Sequence, residues 1–309
     1  MTNLLRHAQH LLSVLGAVFY PWMGYLEWIS PYLIFVMLCI PYCRLKFSDL
    51  KVGKEHFELL AIQMLMAAAV YFALLPLGDT VAGGTMLCVF IPTATAAPVI
   101  TSLLGGHLKF VASYQLVCNI FVALVGPLVL AAVGTHPELT FFESAWLICR
   151  KVFPLLLCPM AVAFLLKKLA PKAHHVIANH QALSFYIWAF SLFIVVGNCV
   201  SFAIKNYSAQ NVVPMLLLAL GALVVCLVQF EAGRWLGGKF GDKVSAGQSF
   251  GQKNTVLGVW LALTYLDPLS SIGMAAYIIW QNLFNSWQLM RHKERDCRTG
   301  QQVGKPFGK

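Results

Sequence analysis

Charge is scarce in this chain. Only 11% of its 309 residues are charged, and 12 acidic residues stand against 22 lysines and arginines. A soluble domain carries about 25% charged residues, so an ordinary solvated surface is excluded. The sequence also lacks paired aspartates inside apolar runs, a His-rich metal cluster and a Ser/His arrangement at matching depth. These gaps argue against an intramembrane enzyme and leave no metal or cofactor expected. Nine cysteines are present, but eight of them (Cys39, Cys43, Cys88, Cys118, Cys149, Cys158, Cys199 and Cys226) lie within or beside apolar runs without metal-type spacing. They read as small hydrophobes. Arg6, His7 and His10 precede an apolar stretch with no small-residue cleavage site after it, so a removable signal peptide is not expected.

What fills the chain is apolar: 59% of residues are hydrophobic, more than one soluble core can hide. A bilayer needs about 20 apolar residues per helical span. Ten runs meet this, near 8–24, 29–44, 56–76, 81–104, 108–133, 143–166, 181–204, 211–234, 244–266 and 269–290. The net charge of +10 is confined to short segments between them, which argues for membrane orientation and against nucleic acid. With the chain starting inside, 18 lysines and arginines fall on inner segments and only Arg150, Lys151 and Lys205 on outer ones. The positive-inside rule then places both termini in the cytoplasm. The sixth run is short between Lys151 and Lys167, so Arg150 and Lys151 must snorkel or line an aqueous cavity. The polar, basic tail 291–309 is expected to be disordered.

Ten spans divide into five and five, residues 1–137 and 138–290, and an odd-numbered repeat enters the membrane in opposite orientations. The fourth span of each half is the interrupted one. In the first half the break is Pro92-Thr93-Ala94-Thr95-Ala96-Ala97-Pro98, where two prolines remove backbone donors at depth. It is either a discontinuous helix aimed at a solute or a kink satisfied by Thr93 and Thr95. In the second half it is Ser249-Phe250-Gly251-Gln252-Lys253-Asn254-Thr255. Lys253 lies ten residues from Lys243 and fourteen from Asp267, hence roughly 15–20 Å from either end of a helix rising 1.5 Å per residue. An ammonium at that depth is a functional residue by default. Gln63, the pair Gln115 and Asn119, and the group Gln281, Asn282 and Asn285 add polar groups at depth. Each serves either the same centre or interhelical hydrogen bonding.

At these residues the chain resembles the bile acid:sodium symporter family. Leu45-Lys46-Phe47-Ser48-Asp49-Leu50 is similar to its L-K-P-S-D-F segment, Pro92-Thr93-Ala94-Thr95-Ala96 to its P-G-G-T-A crossover, Gly251-Gln252-Lys253-Asn254-Thr255 to its G-M-Q-N-S crossover, and Trp280-Gln281-Asn282 to its W-H-N. The resemblance runs from about residue 10 to 290. It implies an all-α membrane protein with a panel domain of spans 1, 2, 6 and 7, a core domain of spans 3–5 and 8–10, and two discontinuous helices crossing in the core. It also implies organic-anion cargo such as bile salts, pantoate-like acids or sulfated compounds. By resemblance, Lys253, Asn254, Thr255, Thr93, Thr95, Asn282, Gln115 and Asn119 are the substrate-binding candidates. Lys253, Ser249, Gln252 and Gln63 are the candidates for ion coupling. The departures fall where the family holds sodium: Ala97 and Pro98, Val111 and Gln115, and Ser249 replace oxygen ligands, while Lys253 brings an ammonium. A hard cation needs about five or six oxygens and is repelled by a fixed positive charge. Sodium is thus a poor companion for the cargo, and the coupling is left open between a proton, sodium at another site and no ion at all.

Overall fold

The computed structural model describes residues 15, 18–44, 50–134, 140–205 and 207–299. Most of the first expected span, the Leu45–Asp49 segment and the tail from 300 lie outside the described residues. Among the described residues thirteen α-helices follow one another: α1 Tyr20–Met23, α2 Ser30–Arg44, α3 Lys54–Leu74, α4 Asp79–Phe90, α5 Ala97–Leu103, α6 Leu108–Val133, α7 Phe141–Leu169, α8 Pro171–Asn179, α9 Gln181–Lys205, α10 Ala209–Phe240, α11 Lys243–Gly251, α12 Thr255–Tyr265 and α13 Ser271–Thr299. No strand occurs among the described residues.

By length and composition four helical stretches among the described residues can cross a membrane: Lys54–Leu77, Leu108–Val133, Phe141–Leu169 and Ala209–Phe240. A fifth span is formed if Tyr20–Leu26 and Ser30–Cys43, bent by 73°, count as one. Exposed Leu216, Leu220, Val224 and Leu227 line one face of α10, and Trp146, Phe153 and Phe164 stand out from α7. Apolar residues on the outside of long helices suit hydrocarbon rather than water, and mark the chain as a membrane protein.

The sixth run, expected at 143–166, lies in the 29-residue α7, opened by Thr140, whose hydroxyl accepts the Glu143 N–H while the Glu143 carboxylate accepts the Thr140 N–H. Arg150 and Lys151 lie exposed near its middle. The segment after α7 carries a short helix of its own, α8, with Pro171 at its first position, where a missing N–H costs nothing. The tail expected to be disordered from 291 continues as α13 to Thr299. Its Arg, Lys and Glu residues are good helix formers, and neither glycine nor proline intervenes before Gly300.

α2 packs on α7 and α9, while α10 packs on α4, α11 and α13. α11 also touches α3, α5 and α6, so it sits inside the bundle. Close approach there needs glycine: a Cβ on Gly251 would lie 2.4 Å from the Phe230 ring, and one on Gly233 2.6 Å from the Ala246 carbonyl oxygen. Gly241, with φ +79°, ends α10 in the left-handed conformation, and the Asp242 side chain then caps α11 by accepting the Ser245 N–H at 2.9 Å.

Candidate functional site

The two interrupted spans cross at their breaks. α4 stops at Phe90 and α5 starts at Ala97; α11 stops at Gly251 and α12 starts at Thr255. Between them Thr93 and Lys253 form an isolated antiparallel bridge. The Ala94 N–H donates to the Gln252 carbonyl and the Asn254 N–H to the Pro92 carbonyl, both at 2.9 Å. Prolines that free backbone groups at depth thus leave them to be met by the other break, and each buried group left unmet would cost about 1–3 kcal/mol. Thr93 adds a side-chain bond, its hydroxyl donating to the Ser249 carbonyl at 2.6 Å.

Further freed carbonyls are met by two matching pairs. Gln63 on α3 donates to the Phe90 and Ile91 carbonyls at 3.2 Å, and its own amide oxygen accepts from Tyr114 of α6 at 2.7 Å. On the other break, Tyr277 of α13 donates to the Gly251 carbonyl at 2.7 Å and accepts from Gln229 of α10 at 2.9 Å. Gln229 also reaches the Cys88 carbonyl of α4. Sequence reading missed Gln229, Tyr114 and Tyr277; the signal available for each was a lone polar atom in an apolar run.

Lys253 stands at the centre. Its side chain is fully buried, and Nζ has no hydrogen-bond partner. The Phe250 ring lies 5.7 Å beneath it. The titratable groups acting on its charge are the thiols of Cys118 and Cys88, with no carboxylate among them. Its backbone N–H donates to Gln281 on α13 at 3.0 Å. Asn254 caps α12 by accepting the Leu257 N–H, which leaves Asn254 Nδ2 unpaired. Ser249 Oγ and Gln252 Oε1 are also buried and unpaired. Lys253, Asn254, Thr255, Thr93, Ser249, Gln252 and Gln63 therefore gather at or against the crossing. Thr95 is half-buried in the first break, and Asn282 half-buried on α13. Gln115 is buried on α6, while Asn119, one turn on, donates to the Tyr42 hydroxyl and ties α6 to α2.

Both ends of the crossing are clasped. His107, between α5 and α6, sets Nδ1 2.6 Å from Asp242 Oδ2, and its backbone N–H donates to Ser245 Oγ at 2.7 Å. Asp242 is held below the ordinary carboxylate range: burial pushes its carboxyl up, but hydrogen bonds from Ser245 and His107 outweigh that. At the other end Asp267, after α12, accepts from Thr80 at the start of α4 at 2.9 Å. No group of three or more His, Cys, Asp or Glu residues suited to a metal ion occurs among the described residues. The site can offer an anion a buried ammonium and unpaired amide hydrogens; it offers hard cations scattered single oxygens beside a competing charge. Neither protein-family models nor curated proteins match this chain, so these residues carry the functional argument alone.

Proposed function

We propose that this chain is a secondary transporter of an organic anion, a bile-salt-like compound or small carboxylate, resident in the cell inner membrane with both termini cytoplasmic. The observation that carries the reading is Lys253: a fully buried, unpartnered lysine at the point where two broken helices cross. An ammonium in that setting gains most from an anionic partner, and the N-terminus of α12 adds partial positive charge beside it.

A ten-span, five-plus-five inverted repeat accounts for the matched contacts. Gln63 with Tyr114 and Gln229 with Tyr277 do the same work on opposite breaks, and Thr93 pairs with its counterpart Lys253. The loop after α5 clasps the start of α11 as the loop after α12 clasps the start of α4. A two-fold axis in the membrane plane relates contacts in this way. In this reading α2, α7 and α9 belong to the panel, and rocking of the core against it gives alternating access.

A thermal-shift screen of carboxylates and sulfonates on purified protein finds the anion, and counterflow of the labelled hit in proteoliposomes tests transport. Counterflow should persist with sodium replaced by choline. It should be lost in Lys253→Gln and Lys253→Met and partly kept in Lys253→Arg. Binding without counterflow would make the chain a sensor of the same fold. Unchanged binding in Lys253→Met would reduce Lys253 to a structural prop.

A further inference from the structure

The unpaired polar atoms are not spread evenly around the crossing. Gln281, Asn285 and Gln288 follow one another on α13 at spacings of four and three, so they share a face. That face meets α11, where Gln248 Nε2 donates to Asn285 Oδ1 at 3.1 Å and to Gln288 Oε1 at 2.7 Å. Gln281 closes the row at the Lys253 backbone. All four amides are buried. Yet Gln248 Oε1, Asn285 Nδ2, Ser249 Oγ, Gln252 Oε1 and Lys253 Nζ have no partner.

Five orphaned groups on α11, on α13 and in the break after α11 are the pattern that ordered water satisfies, since a buried water makes about three hydrogen bonds. The other half of the bundle differs. There α13 presents Ile272, Met274, Ala275, Ala276 and Ile278, and the Tyr277 hydroxyl is already engaged at Gly251 and Gln229. The orphans on that side are the Thr85, Ser271 and Tyr265 hydroxyls and a single amide atom, Gln229 Oε1. The row therefore leads from Lys253 towards the end of the bundle that holds Lys243 and the C-terminal part of α13.

We propose that Gln248, Asn285 and Gln288 hold a file of water that connects Lys253 to the aqueous phase at the Lys243 end, and that the proton carried by Lys253 is exchanged through it. In the step, one N–H bond of the ammonium breaks and its electron pair stays on Nζ. The proton forms an O–H bond with the adjacent water and passes as hydronium to the bulk; return reverses it. The Phe250 ring of α11 lies 5.7 Å from Nζ, the titratable groups that act on its charge are the thiols of Cys88 from α4 and Cys118 from α6, and Gln281 of α13 holds the Lys253 backbone N–H. None is a carboxylate that would trap the proton. The file makes the proton the ion that travels with the proposed anion. It rests on that reading for its purpose but not for its existence, because water reaches the lysine with no cargo present.

The test therefore uses no substrate. In the full chain in proteoliposomes, Asn285→Cys, Gln288→Cys and the control Ala276→Cys are exposed to a small cationic methanethiosulfonate, and peptide mass spectrometry reads modification. Both amide positions should react about tenfold or more faster than Ala276→Cys, as expected of a site opening to water. Because a variant can disturb packing, the native chain supplies a second readout. With 15N-lysine labelling, the Lys253 Nζ signal, identified by its loss in Lys253→Arg, should show exchange with bulk water in solid-state NMR. Reaction at both cysteines together with exchange at Nζ supports the file. Labelling no faster than the control, or an Nζ signal isolated from water, overturns it and leaves the transporter proposal standing on its own tests.

Discussion

Replacing Lys253 with methionine should make the resting protein more stable while disabling it. The side chain is 0% exposed and Nζ has no hydrogen-bond partner. Holding an ammonium inside the bundle with no protein partner, only a narrow file of water beside it, costs several kcal/mol, against which the ring of Phe250, 5.7 Å away, returns about 1 kcal/mol. Methionine fills similar length and leaves untouched the backbone bond from Lys253 to Gln281. Buried charges replaced by apolar groups of similar volume give about 1–4 kcal/mol of stabilisation in general. At about 2 °C per kcal/mol for a chain of this size, Tm should rise by about 2–8 °C. Thermal unfolding in detergent, followed by a thiol-reactive dye, suits the measurement because Cys88, Cys118, Cys199 and Cys226 are buried until the fold opens. A fall in Tm by a similar margin would refute the reasoning, since it would mean that a protein group pairs with Nζ in the resting protein.

Gly251→Ala should destabilise the protein by about 1–3 kcal/mol, because its Cβ would lie 2.4 Å from the Phe230 ring; unchanged Tm would show that α10 and α11 are not in close contact. Asp242 has a lowered pKa, so its contribution to stability is present above the ordinary aspartate value and is lost as pH falls through the native one. Asp242→Asn should therefore flatten the acid limb of the stability curve, measured as Tm against pH, and an unaltered limb would contradict the clasp. For topology, cysteines placed at His136 and Asn206 should react with an impermeant reagent from outside whereas Lys239→Cys should not. Reversed labelling would sink the orientation read from the basic residues.

The sequence displayed where helices break and which residue is costly at depth. Pro92, Pro98 and the polar run around Lys253 are local signals, and both breaks lie where they indicate. What the breaks do to each other was not legible: the bridge joins residues 160 positions apart through backbone atoms, which leave no side-chain pattern. Tyr114 and Tyr277 were hidden because a tyrosine in an apolar run reads as bulk, and its hydroxyl gains meaning only once a freed carbonyl is opposite. Gln248 was passed over because its partners, Asn285 and Gln288, come from a helix almost 40 residues on. The 291–299 segment misled because high charge is shared by solvated helices and disordered tails, and only the absence of glycine and proline distinguished them.

Because main-chain atoms hold the two breaks together, with the Thr93 hydroxyl beside them, the side chain at position 253 does not have to. A substitution there alters what the crossing attracts without dismantling the joint. A lineage with this architecture can thus trade a mobile counter-ion for a covalently attached one, or reverse the exchange, through point changes on an inherited frame. The same latitude makes residues 252–254 the natural place to randomise when probing the proposed anion site.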